Sequence, residues 1–184
     1  MFMYPVDDEI ALALPRPAVD GPALFALVAA DREGIGRFLP WARALTDAAA
    51  EQAFLTLMLE QFGAGRSANL LVYAAGAPVG MISFNGYDED GLSADIGYWL
   101  GAAYRGRGIM TRAVAAMCTL GFTDYGRNKL VIRAAVDNAA SNGVAARAGF
   151  HLDGTLRDGV RLADGFHDEN EWSLLRREWA AARG

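Results

Sequence analysis

Tyr104-Arg105-Gly106-Arg107-Gly108-Ile109-Met110-Thr111 is the stretch that decides how this chain folds. It stands between a strand-like run, Asp95-Ile96-Gly97-Tyr98-Trp99-Leu100, and an apolar segment of helical spacing that continues to about Tyr125. The start of a helix offers backbone N–H groups without intrahelical partners, at the positive end of the peptide dipoles. Glycine removes the Cβ that would hold a ligand off the backbone, and arginine adds charge-assisted hydrogen bonds. The turn is therefore suited to an anion, and several N–H donors in a row suit a pyrophosphate. Arg105, Gly106, Arg107, Gly108, Ile109, Met110 and Thr111 are the candidates to hold it.

Outward from this turn the chain reads as alternating elements. Downstream, Lys129 to Val136 is an apolar run expected to be a buried strand, so strand, helix and strand make a βαβ unit with parallel pairing. Asn138 or Ser141 opens a short helix that ends at Gly149. Phe150 to Arg157 and Glu171 to Leu175 read as two last strands, joined by a polar loop around Asp164-Gly165. Upstream, Asn69 to Ala75 and Pro78 to Tyr87 flank a Gly76-Ala77 turn as a hairpin, and Leu92 to Leu100 follows. Glu9 to Leu14 alternates as a strand and stops at Pro15. Asp20 is the expected cap of a helix to about Asp31, with Pro22 in its first turn. Phe38-Leu39-Pro40-Trp41 interrupts. Thr46 or Asp47 then caps a helix bearing Phe54, Leu55, Met58, Leu59 and Phe62, ended by Gly63 and Gly65. The economical assembly is a single α/β (α+β) domain over residues 1–184, a mixed sheet of about seven strands with helices on both faces.

Composition excludes several classes. A formal charge of −5 argues against a general nucleic-acid surface, and no apolar run is long enough for a membrane span. The N-terminus has neither the basic nor the apolar region of a signal peptide. One cysteine, Cys118, makes no internal disulfide, and together with two distant histidines it makes no metal site. A reducing cytoplasm is the expected setting.

The order of elements, with Arg105-Gly106-Arg107-Gly108-Ile109-Met110 at the strand-to-helix turn, resembles the GNAT superfamily of acyl-CoA-dependent N-acyltransferases. The hallmark there is Gln/Arg-x-x-Gly-x-Gly/Ala; Arg105 and Gly108 fit, and Met110 departs from the small final residue. Asp95-Ile96-Gly97-Tyr98-Trp99-Leu100, Asn138-x-x-Ser141 through Gly149-Phe150, Phe38-Leu39-Pro40-Trp41, and Gly165-Phe166-His167-Asp168 followed by Trp172-Ser173-Leu174-Leu175 look like the RimJ/RimL branch. That branch includes enzymes that acetylate N-terminal amino groups of ribosomal proteins, notably a terminal serine.

The resemblance implies acetyl-CoA as co-substrate, no metal, and direct attack by an amine in a ternary complex. It implies that the strand before the turn splays from its neighbour, with backbone groups near Trp99 and Leu100 holding the pantetheine and polarising the thioester carbonyl. It makes Asn138 a positioning group and Ser141 the proton donor to the leaving thiolate, although both residue types also favour helix caps for local reasons. The branch's glutamate base would fall at Val160 or a near neighbour, and no glutamate stands between Phe150 and Asp168. Asp95 is the substitute candidate; a salt-bridged strand residue is its plain structural alternative. Phe38, Trp41 and Phe62 suit either a wall of the acceptor pocket or packing of the two N-terminal helices, and His167 suits either contact with the acceptor or a structural place beside Asp168. Tyr98 and Trp99 side chains suit either the core or the site. His151 reads as surface and Cys118 as core. Arg127, Lys129 and Arg133 are candidates for the CoA 3′-phosphate or solvated charges. The acceptor is an amine-bearing peptide, a protein N-terminus or a small molecule. A non-catalytic acyl-CoA sensor is the competing reading, and a longer donor such as succinyl-CoA a third. Trp172 and Trp179 suit either core or a homo-oligomeric interface.

Overall fold

Small and β-branched residues carry the middle of the sheet. Ala68–Ala74 (β3), Ser93–Leu100 (β5) and Lys129–Ala135 (β6) place side chains on two covered faces, so they read as apolar runs rather than as strict alternation. A computed structural model describes residues 2–183. Within them one sheet runs in the order β1-β2-β3-β4-β5-β6-β8-β7. The remaining strands are Met3–Pro5 (β1), Ile10–Ala13 (β2), Ala77–Asp88 (β4), His151–Leu162 (β7) and Gly165–Leu175 (β8). Pairing is antiparallel throughout, except between β5 and β6. The βαβ unit and its parallel pair are as the sequence implies.

Two layers of helix cover the sheet. Pro17–Ala30 (α1), Arg32–Gly36 (α2), Trp41–Ala44 (α3) and Ala48–Gly63 (α4) lie on one side, where Leu24, Val28, Ile35, Ala42 and Leu55 pack with Leu71, Tyr73, Met81 and Trp99. Ile109–Thr123 (α5), Ala139–Arg147 (α6) and Arg176–Ala181 (α7) lie on the other. There Ile109, Val114, Met117 and Phe122 pack with Ile82, Phe84, Ile96, Leu130 and Ile132, and Trp179 meets Phe122 at 5.3 Å between ring centroids. Cys118 is in that core at 1% exposure, as its place in the apolar helix implies. Trp172 and Trp179 both pack on it. Among the described residues no helix is long and apolar enough to cross a membrane.

The sheet has one strand more than the sequence reading. Met3–Pro5 pairs with β2 through residues whose side chains are exposed, so no burial pattern marks it. The last two strands are longer than read because β7 is an almost wholly exposed edge strand without an apolar period. Asp20 does not cap α1. The helix begins at Pro17, and Asp20 is buried in its first turn, where it accepts hydrogen bonds from the Arg16 backbone at 2.7 Å, the Arg16 guanidinium at 2.8 Å and the Tyr73 hydroxyl. The Phe38–Trp41 interruption runs from just past α2 into the first residue of α3. Asp47 caps α4, its Oδ1 accepting from the Ala50 N–H at 2.8 Å.

Candidate active site

β5 and β6 pair only at Ser93–Asp95 with Lys129–Val131. Beyond that they part, and the β6-facing edge of β5 from Ile96 to Leu100 has no strand on it. A β-sheet edge left open between two covered layers accepts an extended ligand as an added strand. α5 packs against β5, and α6 follows β6 after residues 136–138.

The turn leading from this edge has the geometry that an anion needs. Gly106 and Gly108 sit at φ +74° and +71°, a region that a side chain would strain. Gly108 caps α5 without a side-chain bond, leaving the first N–H groups of the helix outward. Ile109 and Met110 turn their side chains into the core at 1% and 5% exposure. The larger side chain of Met110 is thus accommodated inside, away from the turn. The Thr111 hydroxyl is buried and has no hydrogen-bond partner in the protein. A buried unpaired hydroxyl is costly, and a phosphate oxygen would satisfy it. The residues present therefore fit a pyrophosphate. The arginines are differently engaged. Arg105 folds back onto the Leu100 carbonyl at 3.0 Å and pairs with Asp31 at 2.6 Å, so it braces the end of β5. Arg107 pairs with Glu9 at 3.0 Å, and Arg112 with Asp7 at 2.7 Å and Glu9 at 3.0 Å.

On the α5–α6 face of the gap stand Tyr98 and Ser141. Asn138 caps α6, accepting from the Ser141 N–H at 3.2 Å. The Ser141 hydroxyl lies 2.9 Å from the Tyr98 hydroxyl, which also reaches the Ser141 carbonyl at 3.2 Å. Burial pushes the Tyr98 phenol up to about 12, against the opposing effect of the Ser141 hydrogen bond, so it is protonated at neutral pH and able to donate. Asn142, next in the chain, ties the start of α6 to the sheet. Its amide donates to the Ala135 and Asn138 carbonyls, and its oxygen accepts from Asn170 and from the Trp172 indole, each near 2.8–2.9 Å. The sequence leaves the Tyr98 side chain open between core and site, and nothing in it singles out Asn142. Its one usable signal is its place beside Ser141.

The opposite face is acidic. Asp95 pairs with Arg133 at 3.0 Å, and Arg133 also donates twice to Glu171, at 2.8 and 2.9 Å. Burial raises the Asp95 carboxyl above the usual range, partly offset by Arg133. Glu169 lies two residues before Glu171 on β8, and Lys129 joins Glu171 and Asp153. Arg127 pairs with Glu89. All three basic residues at this strand entrance are therefore ion-paired.

The acceptor-side candidates spread along the same face. Trp41 is 42% exposed and meets the buried Trp99 edge-on at 5.9 Å. Phe38 carries the Arg37 guanidinium at 4.9 Å, and Arg37 reaches Asp137 at 3.0 Å. His167 bonds to Asp164 at 2.8 Å and approaches Asp137 at 3.9 Å. The structure thus gathers Phe38 and His167 about Asp137, one residue before Asn138. Phe62 is at the exposed end of α4, and His151 is exposed on β7. Between α4 and strands β3 and β4 lies a cavity of about 280 Å³, lined by Phe54, Met58, Ser67, Asn69 and Asn85 among others. The Asn85 amide reaches over Gly97, where a Cβ would meet it at 2.6 Å.

Residues 10–151 match the model of the acetyltransferase (GNAT) domain family. The chain belongs to the GNAT acetyltransferases. It is 32% identical over 182 residues to a putative ribosomal N-acetyltransferase, YdaF, of Bacillus subtilis (strain 168), covering 97% of this chain and 98% of that protein. It is 33% identical over 119 residues to the ribosomal-protein-serine acetyltransferase of Escherichia coli (strain K12), covering 65% of each. Its fold matches RimL, the ribosomal L7/L12 alpha-N-protein acetyltransferase solved with coenzyme A, with a TM-score of 0.89 at 27% identity over 95% of this chain and 98% of that one. It also matches the microcin C7 self-immunity acetyltransferase MccE solved with acetyl-CoA and AMP, with a TM-score of 0.87 at 29% identity, over 92% of this chain and 94% of that one. This GNAT enzyme is of the RimL-like branch, with the α+β fold and mixed eight-stranded sheet described above.

Proposed function

We propose that this acetyltransferase binds acetyl-CoA along the open edge of β5 and transfers the acetyl group to a primary amine, the α-amine of a protein N-terminus. A ribosomal-protein serine is the first candidate, and such an acceptor places the reaction in the cytoplasm. The observation that carries this reading is the unpaired edge of β5, with an anion-binding turn at one end and the Tyr98–Ser141 pair beside it. The ribosomal acceptors named for the relatives support the choice of amine.

The roles follow from position. N–H groups from Arg107 to Thr111 and the Thr111 hydroxyl hold the pyrophosphate, with Arg107 free to exchange Glu9 for a phosphate. Backbone groups near Trp99 and Leu100 hold the pantetheine and polarise the carbonyl. Asn138 fixes the Ser141 backbone. Ser141 gives its proton to the sulfur, and Tyr98 donates into the serine oxygen behind it. An alcohol alone is a weak acid, so a phenol in line makes the transfer easier. Trp41, Phe38 and His167 line the approach of the acceptor, and the cavity at Asn69 and Asn85 receives its polar groups.

The half-exposed Trp41 on Trp99 favours a second reading, a small aromatic amine stacked on that ring. The test is CoA release from acetyl-CoA with a Ser-starting peptide, beside a panel of small amines and an amine-free blank. Turnover of the peptide is expected. Turnover confined to small amines would replace the peptide reading, and binding of acetyl-CoA with no turnover anywhere would make the protein a sensor.

A further inference from the structure

We infer that Glu169 is the general base that takes the proton from the attacking amine, with Asp95 and Glu171 serving to hold Arg133 in place beside it. The inference rests on the acyl-transfer reading of the gap.

Position is the first argument. Glu169 stands opposite Ala135 in the β6–β8 register, two residues beyond the Arg133–Glu171 pair and four beyond Val131, where β5 and β6 last touch. It is therefore at the open end of the gap, not the closed one. Facing residues on neighbouring strands share a side of the sheet. Arg133 bonds Asp95 and Glu171, so this row lies on the acceptor face, opposite Tyr98 and Ser141. The single side chain of β6 between Glu169 and the gap at this level is Ala135, too short to obstruct it. On the far side, Gly159 of β7 leaves the Glu169 stem room: a Cβ there would meet the Glu169 Cβ at 2.7 Å.

Availability is the second. Asp95 and Glu171 are both tied to Arg133. Glu169 is half-buried, and among the described residues its carboxylate accepts no hydrogen bond and has no cation within 4.0 Å. Burial raises its carboxyl above the usual range; Arg133 opposes this, and Asp95 and Glu171 add to it. Asp95, Arg133 and Glu171 are the charged groups that act on it. A carboxylate made more basic by burial is better matched to an α-amine, whose ordinary pKa is about 8.

The step balances. The amine nitrogen attacks the thioester carbonyl, the C–S bond breaks, and the nitrogen's proton passes to the Glu169 carboxylate. The sulfur takes a proton from the Ser141 hydroxyl on the other face. Glu169 then releases its proton to solvent and Ser141 regains one, giving amide and free thiol.

The test needs no knowledge of the acceptor. S-(2-aminoethyl)-CoA places an ammonium where the reacting nitrogen would be, and S-ethyl-CoA is its neutral counterpart. Wild type is expected to bind the first about tenfold more tightly, a ratio that corresponds to one well-placed charge pair. Glu169→Gln is expected to abolish that preference while leaving S-ethyl-CoA affinity intact, and Asp95→Asn to keep most of it. With any acceptor that turns over, Glu169→Gln is expected to lower kcat about 100-fold, with the KM for acetyl-CoA unchanged and the low-pH limb of the rate profile flattened, and Glu169→Asp to restore part of it. A preference that survives in Glu169→Gln, an equal loss in Asp95→Asn, a parallel loss of S-ethyl-CoA affinity, or a kcat within threefold of wild type would overturn the assignment. A peptide that fails as acceptor while the charge preference holds would overturn only the choice of acceptor.

Discussion

The two faces of the sheet at the gap differ in kind. On the α5–α6 face, Tyr98 and Ser141 are neutral groups joined by one short hydrogen bond and fixed by the Asn138 cap and the Asn142 brace. On the α1–α4 face, Asp95, Arg133, Glu169 and Glu171 form a charged group with one cation among three carboxylates. A proton donor to sulfur needs a fixed O–H, which packing supplies. A proton acceptor for an amine needs a carboxylate whose basicity is set by its neighbours, which charge supplies. In the proposed reaction the open edge of β5 would let both be used.

The largest expected effect breaks the neutral face. Ser141→Ala should lower kcat about 100-fold with little change in the KM for acetyl-CoA. Tyr98→Phe should cost about tenfold, and the double variant should be no worse than Ser141→Ala alone, because the phenol acts through the serine. Steady-state kinetics at saturating acceptor checks all three; additive losses would separate the pair. On the charged face, Arg133→Met removes the cation that holds both Asp95 and Glu169 down. Both carboxyls should then rise, so activity should fall at pH 7 by about tenfold and recover towards pH 9. A rate profile without that shift would detach Arg133 from the base.

The geometry of the turn proposed to hold the cofactor was legible because it is written locally. Gly106 and Gly108 need positive φ within one turn, and Asn138 caps a helix three residues before it bonds Ser141. The charged face was not legible because it is assembled by register. Asp95, Arg133 and Glu171 come from three strands, and only the pairing of β6 with both neighbours brings them together. Glu169 and Glu171 do share a period of two, but a strand exposed on one side carries such a pattern for solubility alone. Both stand just beyond Asp168, outside the Phe150–Asp168 interval that holds no glutamate. The fold followed from the same local signals; β1 and the far end of β7 escape them because exposed edge strands have no burial period, and the first half of β8 because it pairs with that exposed end.

Two smaller effects sharpen the contrast. Thr111→Val should weaken acetyl-CoA binding about fivefold while leaving stability unchanged or slightly raised, since it removes a hydroxyl that the protein itself does not satisfy. Binding calorimetry with a thermal melt checks it. Glu51 tests whether a carboxyl raised by burial is by that fact part of the site. It is 2% exposed on α4, and desolvation alone lifts it to about 7. The folded state therefore binds more protons than the unfolded one between about 4.5 and 7, and stability falls as pH rises through that window, by on the order of 3 kcal/mol. Glu51→Gln should be the more stable protein at pH 8, have a flatter stability profile, and keep normal turnover. Urea unfolding at pH 5 and pH 8 measures the first two.

A crystal structure with S-(2-aminoethyl)-CoA bound tests the two-faced gap most directly. The sulfur should lie within about 3.5 Å of the Ser141 hydroxyl, and the ammonium should emerge on the other face of the sheet, against Glu169. Sulfur and nitrogen on the same face, or an ammonium lodged at Asp95 in the closed end, would contradict the account.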